Sequence, residues 1–451
     1  MPAGKDNSMH YNKLPQVPGS TYLSVGLDVG ADFTWMSIAL PNGSFHGKPF
    51  RVVHDDPRSR ETAVAKIKEA QEAYSLESRC FLESTGIYHI PLLCFLRDKG
   101  FDCSVINPII TKNSTNMNIR KLHNDKFDSK KAALVGLNAS LKTSIIPDGD
   151  IVDLRNLVRD YYYFKDLQSA IVLKLNAELK VSFPAYLHVF SKVTTKTSLK
   201  LLAEYPLAAD VLAAPKDKIV SVIKSTARFG EKYALARYDS LCTAARDAAE
   251  FARALPSNAI RIRLYIETYR MYQGHLDSIL EELHKATDRL QGTPVYDRIC
   301  LLQSLRGIGF LSAVVLMAEM GSFDLFPSPK KLYAYFGLDP AVKQSGKFSG
   351  DKVHMSKRGS GLARRILHMA ALNNLKVGKG TGSPVNPVIY DYYRRKCASK
   401  KKKVAVGAVM HKICDIIFAM LRDNKPFEMI TPQEHCRRYA AGHPVSSDNA
   451  A

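Results

Sequence analysis

The stretch Thr21–Leu40, TYLSVGLDVGADFTWMSIAL, decides the fold of this chain. Its nearly continuous apolar pattern predicts a buried strand, a Gly-bounded turn and a second strand. Asp28 stands at the end of the first strand, where an unpaired buried carboxylate is costly. We therefore predict that Asp28 faces a cation or a phosphate-binding cleft, with an Asx-turn that closes the hairpin as the alternative.

Strand and helix patterns alternate after this hairpin. The predicted elements are a strand at 45–53, a helix at 60–74, a strand at 79–82 that delivers Glu83, a helix at 90–99, a strand at 102–106 and a helix at 126–140. A hairpin followed by such alternation predicts a mixed α/β sheet that is antiparallel on one side.

Length and composition bound the functional class. The 451 residues allow two or three domains, and 64 Lys+Arg against 43 Asp+Glu give a formal charge of +21. This balance favours a nucleic-acid partner over a basic enzyme whose charge only aids solubility. The eight cysteines include no C-x-x-C pair, so we expect reduced thiols, no zinc site and a cytoplasmic protein. No signal peptide or membrane span is expected.

The sequence pattern of the second half of the chain predicts mostly α-helices. Apolar residues at helical spacing over 154–175 and 262–283 predict two long, coiled-coil-like helices, with shorter helices and loops at Pro184, Pro206 and Pro215 between them. We interpret this region as a scaffold or dimerisation arm. Gly307-Ile308-Gly309 resembles a helix-hairpin-helix turn that meets a phosphate, and a plain interhelical turn is the equal alternative. Basic residues concentrate in the loop 343–361 and at 394–403.

Three further acids accompany Asp28. Glu83 also ends an apolar strand, and Asp125 and Asp128 lie three apart at the start of a predicted helix, so both share one face. Four converging carboxylates would repel one another unless they surround divalent cations, and oxygen ligands suit Mg²⁺. We predict two Mg²⁺ ions, with Mn²⁺ as the alternative ion, at a site for phosphodiester cleavage. Acids favoured by the helix dipole are the alternative for the Asp125–Asp128 pair.

In that order, GLDVG, LESTG and HNDKFDSKKAA resemble the Asp-Glu-Asp-Asp (DEDD) tetrad of RuvC-like, ribonuclease-H-fold domains. LRGIGFLSAVVLMAEMG, YFGLDP, QSGK and MSKRGSGLARRIL resemble the C-terminal half of the same proteins, the insertion-sequence transposases of the "one-ten" family and its "eleven-eleven" relatives. The resemblance covers about residues 20–175 and 296–425. The middle, about 180–260, is longer than is typical of the family.

The resemblance implies a DNA transposase in which a C-terminal serine nucleophile works with the tetrad, in one chain or across two subunits. Carried over, the catalytic and metal-binding tetrad is Asp28, Glu83, Asp125 and Asp128, and the serine is Ser356. Ser345 and Ser360 are rivals in the same loop, and a helix cap or ST-turn is the alternative role for any of them. The residues expected to bind nucleic acid are Lys347, Lys352, Lys357, Arg358, Arg364, Arg365, Arg394 and Arg395.

The resemblance also implies partners and a domain order. The partners are donor and target DNA, an element-encoded guide (bridge) RNA that pairs with both, and further copies of the chain in a dimer or tetramer. The expected location is the bacterial cytoplasm, at the nucleoid. The expected order is a disordered leader (1–20), a RuvC-like DEDD domain (21–149), a helical oligomerisation arm (150–295), a mostly α-helical C-terminal transposase domain with the serine (296–439) and a tail (440–451).

Other readings make distinct predictions. A Holliday-junction resolvase would use the tetrad with metal-activated water and would not need Ser356. A sugar-kinase or actin-like ATPase shares the opening hairpin, but it requires a second Asp-containing hairpin with a Gly-rich phosphate loop, and the back half shows helical patterns instead. A non-catalytic nucleic-acid-binding protein with a decayed site would lack an acid of the tetrad, and all four are present.

Overall fold

The computed structural model describes residues 21–83, 88–106, 125–138, 149–226, 230–341, 344–345, 348–349, 354–378, 380 and 382–442. The chain divides into two compact units, Met1–Ile146 and Pro147–Ala451, and each is described by itself. The predicted leader, most of the predicted tail, and the loop residues Lys347 and Lys352 lie outside the described residues.

The N-terminal unit is built on a five-stranded mixed sheet in the order β3-β2-β1-β4-β5. Its strands are β1 (Leu23–Val29), β2 (Phe33–Ala39), β3 (Phe45–Val53), β4 (Ser78–Glu83) and β5 (Asp102–Ile106). β1, β2 and β3 are antiparallel neighbours, whereas β4 runs parallel to both β1 and β5. The mixed α/β sheet, antiparallel on one side, is confirmed.

Three described helices accompany this sheet: α1 (Pro57–Tyr74), α2 (His89–Asp98) and α3 (Asp125–Gly136). One face of β1 presents Leu23, Val25 and Leu27, which pack in a single core with residues of α1 and α2. The other face of β1 carries Ser24 and Gly26, and α3 lies against it. The strand therefore separates an apolar core from the helix that bears the acid pair.

Helix α3 ends at Gly136, and our prediction that it continues to Ser140 was wrong. The chain leaves the helix through a turn in which the N–H of Leu137 donates to the carbonyl of Leu134 at 3.3 Å. Gly136 lies so close to the sheet that a Cβ there would stand 2.3 Å from the Phe81 ring and from Ser24 Oγ. Glycine is thus required by the close approach, and it also weakens the helix at this point.

In its described residues, the C-terminal unit is mainly α-helical, with one short β-hairpin. Its long helices α4 (Gly149–Ser182) and α9 (Pro256–Asp288) pack antiparallel, because Leu154 shares a core with Leu283 while Leu179 shares another with Ile262. The shorter helices between them are α5 (Lys196–Glu204), α6 (Ala208–Ala213), α7 (Lys216–Thr226) and α8 (Glu231–Phe251). Pro206 and Pro215 separate these helices, as predicted, and Pro184 opens a 3₁₀ turn.

The remaining helices follow α9 in the chain, and all but the last contribute residues to the core that contains Leu154 and Leu283. They are α10 (Pro294–Gln303), α11 (Phe310–Met320), α12 (Pro329–Tyr335), α13 (Gly361–Leu375), α14 (Pro387–Cys397), α15 (Lys402–Asp423) and α16 (Pro432–Gly442). Strands β6 (Gln344–Ser345) and β7 (Phe348–Ser349) form a hairpin where the sequence predicted only a loop. Within the described ranges, α15 alone is long and apolar enough to cross a membrane, and more than half of its apolar window is buried in this core.

Candidate active site

Asp28 and Glu83 are neighbours on parallel strands. The last paired residues of β1 and β4 are Leu27 and Leu82, and the two acids follow them directly. Residues at the same level of adjacent parallel strands point to the same face, about 4.8 Å apart along the hydrogen-bonding direction. Both residues are partly buried and lie at the C-terminal ends of their strands, Asp28 one residue before the end of β1 and Glu83 at the end of β4.

Helix α3 packs closely on β1 because the residues at the contact are small. Ser24 Oγ donates to the carbonyl of Ala133 at 2.6 Å, and a Cβ on Gly26 would stand 2.1 Å from the amide nitrogen of Ala133 and 2.3 Å from the carbonyl oxygen of Ser129. Residues 24, 26 and 28 alternate onto this face of the strand. Because the contacts step back along α3 as β1 advances, Asp28 lies toward the first turn of the helix, which carries Asp125 and Asp128.

The pKa of Asp28 is consistent with these positions of the other acids. Burial is the main cause that raises the pKa of Asp28 from its ordinary value of 3.8 to about 6. The further contributions that raise it come from three nearby negative charges, those of Asp128, Asp125 and Glu83. The structure therefore places the other three predicted acids within electrostatic reach of Asp28.

Lys131 moderates this negative charge. Its ammonium group pairs with Asp128 at 2.7 Å, and it lowers the pKa of Asp28 in opposition to the acids. The sequence analysis did not single out Lys131, although its position three residues after Asp128 on a helix is the spacing of such a pair. Ser129 lies between them in the chain and bonds to Ser37 Oγ of β2 at 2.8 Å, which fixes the same turn of α3 to the sheet.

The acids fit a hard divalent cation by their chemistry. In the part of the chain that the structure describes, no group of three or more His, Cys, Asp or Glu residues is arranged so that it could hold a metal ion. The donor set is nevertheless all carboxylate oxygen, which suits Mg²⁺. Burial, and after it the charges of Asp128, Asp125 and Glu83, raise the pKa of Asp28, and a bound cation would oppose the contribution of those charges.

In the C-terminal unit, Ser356 lies in a loop held against the segment that follows α12. The hydroxyl of Ser356 donates a hydrogen bond to the carboxylate of Asp339, and the Ser356 N–H donates to the Asp339 carbonyl at 2.7 Å. The N–H of Ala341 donates to the carbonyl of His354 at 2.7 Å on the same ladder. Asp339 lies in the FGLDP motif, but its role as a partner of the serine was missed by sequence reasoning.

The backbone around Ser356 is tightly constrained. Lys357 adopts a left-handed conformation with φ of 55°, which is unfavourable for a residue with a side chain, and its N–H donates to the carbonyl of Gly337 at 3.0 Å. Gly337 itself has φ of 71°. A Cβ on Gly359 would stand 1.8 Å from the carbonyl oxygen of Tyr335, so only glycine fits there. Strained backbone that the surroundings enforce clusters at functional sites.

Several predicted nucleic-acid ligands have partners within the protein. Arg364 donates to the carbonyls of Phe336 at 2.9 Å and Gly359 at 2.7 Å, so it clamps the serine loop. Arg365 pairs with Asp166 of α4 at 2.8 Å. The other described residues of the predicted set are exposed, namely Lys357, Arg358, Arg394 and Arg395.

The contacts of Ser360 and Gly307 favour the alternative, structural roles of these two residues. Ser360 Oγ accepts from the N–H of Ala363 at 3.0 Å, so Ser360 is the N-cap of α13. Gly307 has φ of 86° and packs against Asn374, whose amide donates to the Arg306 carbonyl at 2.7 Å. These contacts favour the plain interhelical turn at Gly307, and a phosphate contact there stays a prediction. Ser345 lies in β6.

Two models of known protein families match this chain, one over the four acids and one over the serine loop. A family model described as "Transposase", for the DEDD type of IS110, matches residues 25–184. A second model, described as "Transposase IS116/IS110/IS902 family", matches residues 300–393. The two segments together make up more than half of the chain. The chain belongs to the IS110 family of transposases.

The relatives of this IS110-family chain are distant. It is 29% identical over 171 residues to the "Pilin gene-inverting protein" of Moraxella bovis, an alignment that covers 37% of this chain and 51% of the relative. It is 28% identical over 133 residues to the "Insertion element IS110 uncharacterized 43.6 kDa protein" of Streptomyces coelicolor, covering 29% of this chain and 31% of the relative. The chain thus spans about half or less of the length of these relatives.

Each of the two IS110-family matches contains one of the two groups of candidate residues. The N-terminal match contains Asp28, Glu83, Asp125 and Asp128, and the C-terminal match contains Asp339 and Ser356. Helix α15 and the end of α14 lie beyond residue 393, where the second match stops.

Proposed function

We propose that this chain is the transposase of a mobile element, a DNA recombinase that cuts and rejoins strands through a covalent Ser356–DNA phosphoester. The observation that carries this proposal is the hydrogen bond from the Ser356 hydroxyl to the Asp339 carboxylate, in a loop followed by basic residues. A serine hydroxyl needs an adjacent base or a comparable activation to act as a nucleophile, and Asp339 occupies that position.

The proposed chemistry at Ser356 is a phosphoryl transfer. Ser356 Oγ attacks the scissile phosphorus while its proton passes to Asp339. The new Oγ–P bond forms as the bond from phosphorus to a deoxyribose oxygen breaks, and that oxygen leaves with the proton that Asp339 received from Ser356. The reverse step, with a different deoxyribose hydroxyl as the attacking group, rejoins the strands. Because the covalent link preserves the phosphoester, rejoining requires no external energy source.

We assign the N-terminal unit as a RuvC-like, ribonuclease-H-fold domain. Its strand order β3-β2-β1-β4-β5 and the placement of Asp28 and Glu83 at the C-terminal ends of their strands support this assignment. Asp28, Glu83, Asp125 and Asp128 would hold Mg²⁺, or Mn²⁺, in one or two ions. A bound divalent cation would supply charge neutralisation and Lewis acidity toward phosphate oxygens. Lys131 keeps Asp128 paired until such a cation competes for it.

Donor and target DNA are the proposed substrates, with an element-encoded guide RNA that pairs with both. The charge of +21 supports a partner with a phosphate backbone. The printed name of the Moraxella relatives supports a reaction that rejoins strands, because inversion of a gene segment requires rejoining. The exposed lysine and arginine side chains of the serine loop would neutralise the phosphate that is transferred.

A dimer or tetramer built through the helical arm is part of the proposal, because strand exchange must hold two duplexes at once. Helix α9 supports it with an exposed apolar stripe that contains Ile260, Leu264 and Met271, each at least half exposed. The proposed division remains a catalytic domain over 21–149, an arm over 150–295 and a serine domain over 296–439. The proposed location is the bacterial cytoplasm.

The test is strand exchange between a donor and a target plasmid, with RNA expressed from the flanks of the element. Wild-type protein is expected to give recombinant junctions that depend on that RNA, and Asp28→Ala and Ser356→Ala are each expected to give none. If Ser356→Ala recombines like the wild type, the serine mechanism is wrong. Plasmid cleavage by Ser356→Ala without rejoining would favour the alternative function, a resolvase that uses the tetrad and water.

A further inference from the structure

A cavity of about 580 Å³ in the C-terminal unit adjoins the Ser356–Asp339 pair. One wall contains Leu338 and Pro340, which flank Asp339 in the chain, and Met355, which precedes Ser356. An antiparallel bridge between Pro340 and Met355 holds these two segments together. The cavity is therefore lined by the chain neighbours of Ser356 and Asp339, not by these two residues themselves, and all of its lining residues belong to the described part of the chain.

Three lysines also line the cavity. They are Lys396 at the end of α14, Lys400 in the connection and Lys403 in the first turn of α15. Among the described residues, no carboxylate forms an ion pair with any of these three ammonium groups. Three like charges in the lining repel one another, and an anion in the cavity would relieve this repulsion.

The start of α15 has a charge pattern that disfavours the helix. Lys401 is the N-cap without a side-chain cap hydrogen bond, Lys402 and Lys403 follow it, and the first turn contains no acid. Cations at a helix N-terminus oppose the helix dipole, whereas an anion there is stabilised by it. The lysines are thus unfavourable for the isolated fold, and this supports the cavity and its three lysines as a place for an anionic ligand.

Other residues that line the cavity suit a base and a sugar. Tyr392 is one of them, with the ammonium group of Lys396 5.3 Å from the ring centre, and Met355 and Val404 add apolar surface. His411 stiffens the site, because its Nε2–H donates to the Leu338 carbonyl at 2.9 Å and its ring lies 4.6 Å from that of Tyr333. Aromatic faces bind bases by stacking, without regard to sequence, while lysines bind the phosphates.

We propose that this cavity binds one unpaired DNA nucleotide next to the phosphodiester that Ser356 attacks. This inference rests on the proposed function of Ser356. The lysines contact the phosphates of that nucleotide, and its base stacks on Tyr392. The cavity volume of about 580 Å³ is in the range of pockets for small ligands, which suits a single nucleotide. By holding one nucleotide out of the duplex, the cavity positions the neighbouring phosphate for the serine.

The test uses the full chain with Ser356→Ala, so that no covalent step interferes. The probes are a labelled oligothymidylate of about ten nucleotides and an oligomer of the same length that consists of abasic sugars. Tyr392→Ala is expected to weaken oligothymidylate binding about tenfold and to leave abasic binding unchanged, because only the stacking is lost. Tyr392→Phe keeps the ring and is expected to bind like the parent, which separates stacking from misfolding.

The lysines are tested by salt dependence. The double change Lys396→Gln and Lys403→Gln is expected to lower the slope of log K against log salt by about 1.4 for a single strand, about 0.7 for each phosphate contact. Lys401→Gln with Lys402→Gln is the matched control, since it removes the same amount of charge from neighbouring residues at the start of α15 that do not line the cavity. The control is expected to change the slope by less than half as much.

Three outcomes would overturn the proposal: equal effects of the two lysine pairs, an equal effect of Tyr392→Ala on both oligomers, or tighter binding of oligouridylate with the same sensitivities, which would assign the cavity to RNA. Formation of a protein–DNA adduct by the chain with Ser356 intact separates this proposal from the proposed function. An adduct without the binding pattern refutes the cavity alone. The binding pattern without an adduct refutes the serine mechanism and leaves a nucleotide site.

Discussion

Asp339 accepts a hydrogen bond from the hydroxyl of Ser356, and the carbonyl of the same aspartate accepts a second one from the Ser356 N–H at 2.7 Å. Two bonds from one residue to one residue fix both the backbone and the side chain of the serine. The hydroxyl proton consequently points at a carboxylate, which is the orientation that leaves an oxygen lone pair free to attack. This arrangement distinguishes Ser356 from Ser360, whose hydroxyl caps helix α13.

The substitution Asp339→Asn tests this pairing. The amide oxygen of the introduced side chain can still accept the serine hydrogen bond, so the fold and its melting temperature are expected to change little. The amide cannot take the proton, and loss of a general base is expected to slow formation of the serine–DNA link by about 10²–10⁴-fold. Single-turnover measurement of adduct formation checks this. An adduct rate within a few-fold of the wild type would remove Asp339 from the chemistry.

Two substitutions of Lys357 are expected to have the same effect on activity but different effects on stability. Its φ of 55° is in the left-handed region, so Lys357→Gly is expected to raise the free energy of unfolding by about 1 kcal/mol and to lower activity, because a phosphate ligand is lost. Lys357→Ala removes the same charge but keeps the unfavourable φ, and it is expected to lower activity without raising stability. Thermal melts and adduct rates of the two variants, side by side, test this. Equal stability of Gly and Ala at this position would contradict the strain.

Gly26 controls the seating of the acid-bearing helix. A Cβ there would stand 2.1 Å from the Ala133 nitrogen, so Gly26→Ala is expected to displace α3 from β1 and to lower the free energy of unfolding by about 1–3 kcal/mol. The displaced helix would carry Asp125 and Asp128 away from Asp28, and we expect weaker Mg²⁺ binding by calorimetry.

Gly274→Ala is the control for this substitution. Gly274 is exposed within helix α9 and has nothing within 4 Å of an added Cβ, so alanine there is expected to stabilise the chain by about 0.5–1 kcal/mol. A neutral or stabilising Gly26→Ala, with unchanged Mg²⁺ affinity, would show that the helix does not rest on β1 in the way described.

The pH dependence of stability tests the environment of Asp28. Because the pKa of Asp28 rises from 3.8 to about 6 on folding, the folded chain binds the proton more tightly, and metal-free stability falls as pH rises through that interval. Asp28→Asn removes this cost. We expect the variant to melt above the wild type at pH 7 in chelator and to match it at pH 3.5, the difference developing between about pH 4 and 6.

The same comparison of melting temperatures between the wild type and Asp28→Asn is repeated with Mg²⁺ present. Mg²⁺ is expected to raise the melting temperature of the wild type at pH 7 and to close the gap to Asp28→Asn, since the cation opposes the contribution of the neighbouring acids. A variant that melts below the wild type in chelator at pH 7 would show that ionised Asp28 is stabilised by the fold, contrary to its raised pKa.

The N-terminal sheet was predictable from the sequence because its strands have strong local signals. Leu23, Val25 and Leu27 alternate with small residues, and β4 delivers Glu83 at the predicted residue. The order of the strands depends on pairings such as that of Leu23 with Ser78, and the packing of α3 on β1 depends on contacts such as that of Ser24 with Ala133, 109 positions away. No local pattern records them.

The serine loop was predictable only in part for the same reason. The basic composition around Ser356 and the resemblance of its motif identified a candidate, but a helix cap and a nucleophile have the same local sequence signal. Asp339 is 17 residues away from Ser356, so the pairing that distinguishes it from Ser360 arises in the folded chain. The internal partners of Arg364 and Arg365 were likewise invisible, because a basic residue near a loop is equally compatible with a phosphate and with a carbonyl or carboxylate.

The central claim is a covalent bond between Ser356 and DNA, and the most direct measurement is mass spectrometry of the adduct trapped during strand exchange. The wild type is expected to yield one peptide that carries a nucleotide on Ser356. Ser360→Ala is expected to keep that adduct while losing about 1 kcal/mol of stability, as a missing helix cap would. Ser356→Ala is expected to form none. Recombination without any serine adduct, or an adduct on a different residue, would contradict the account.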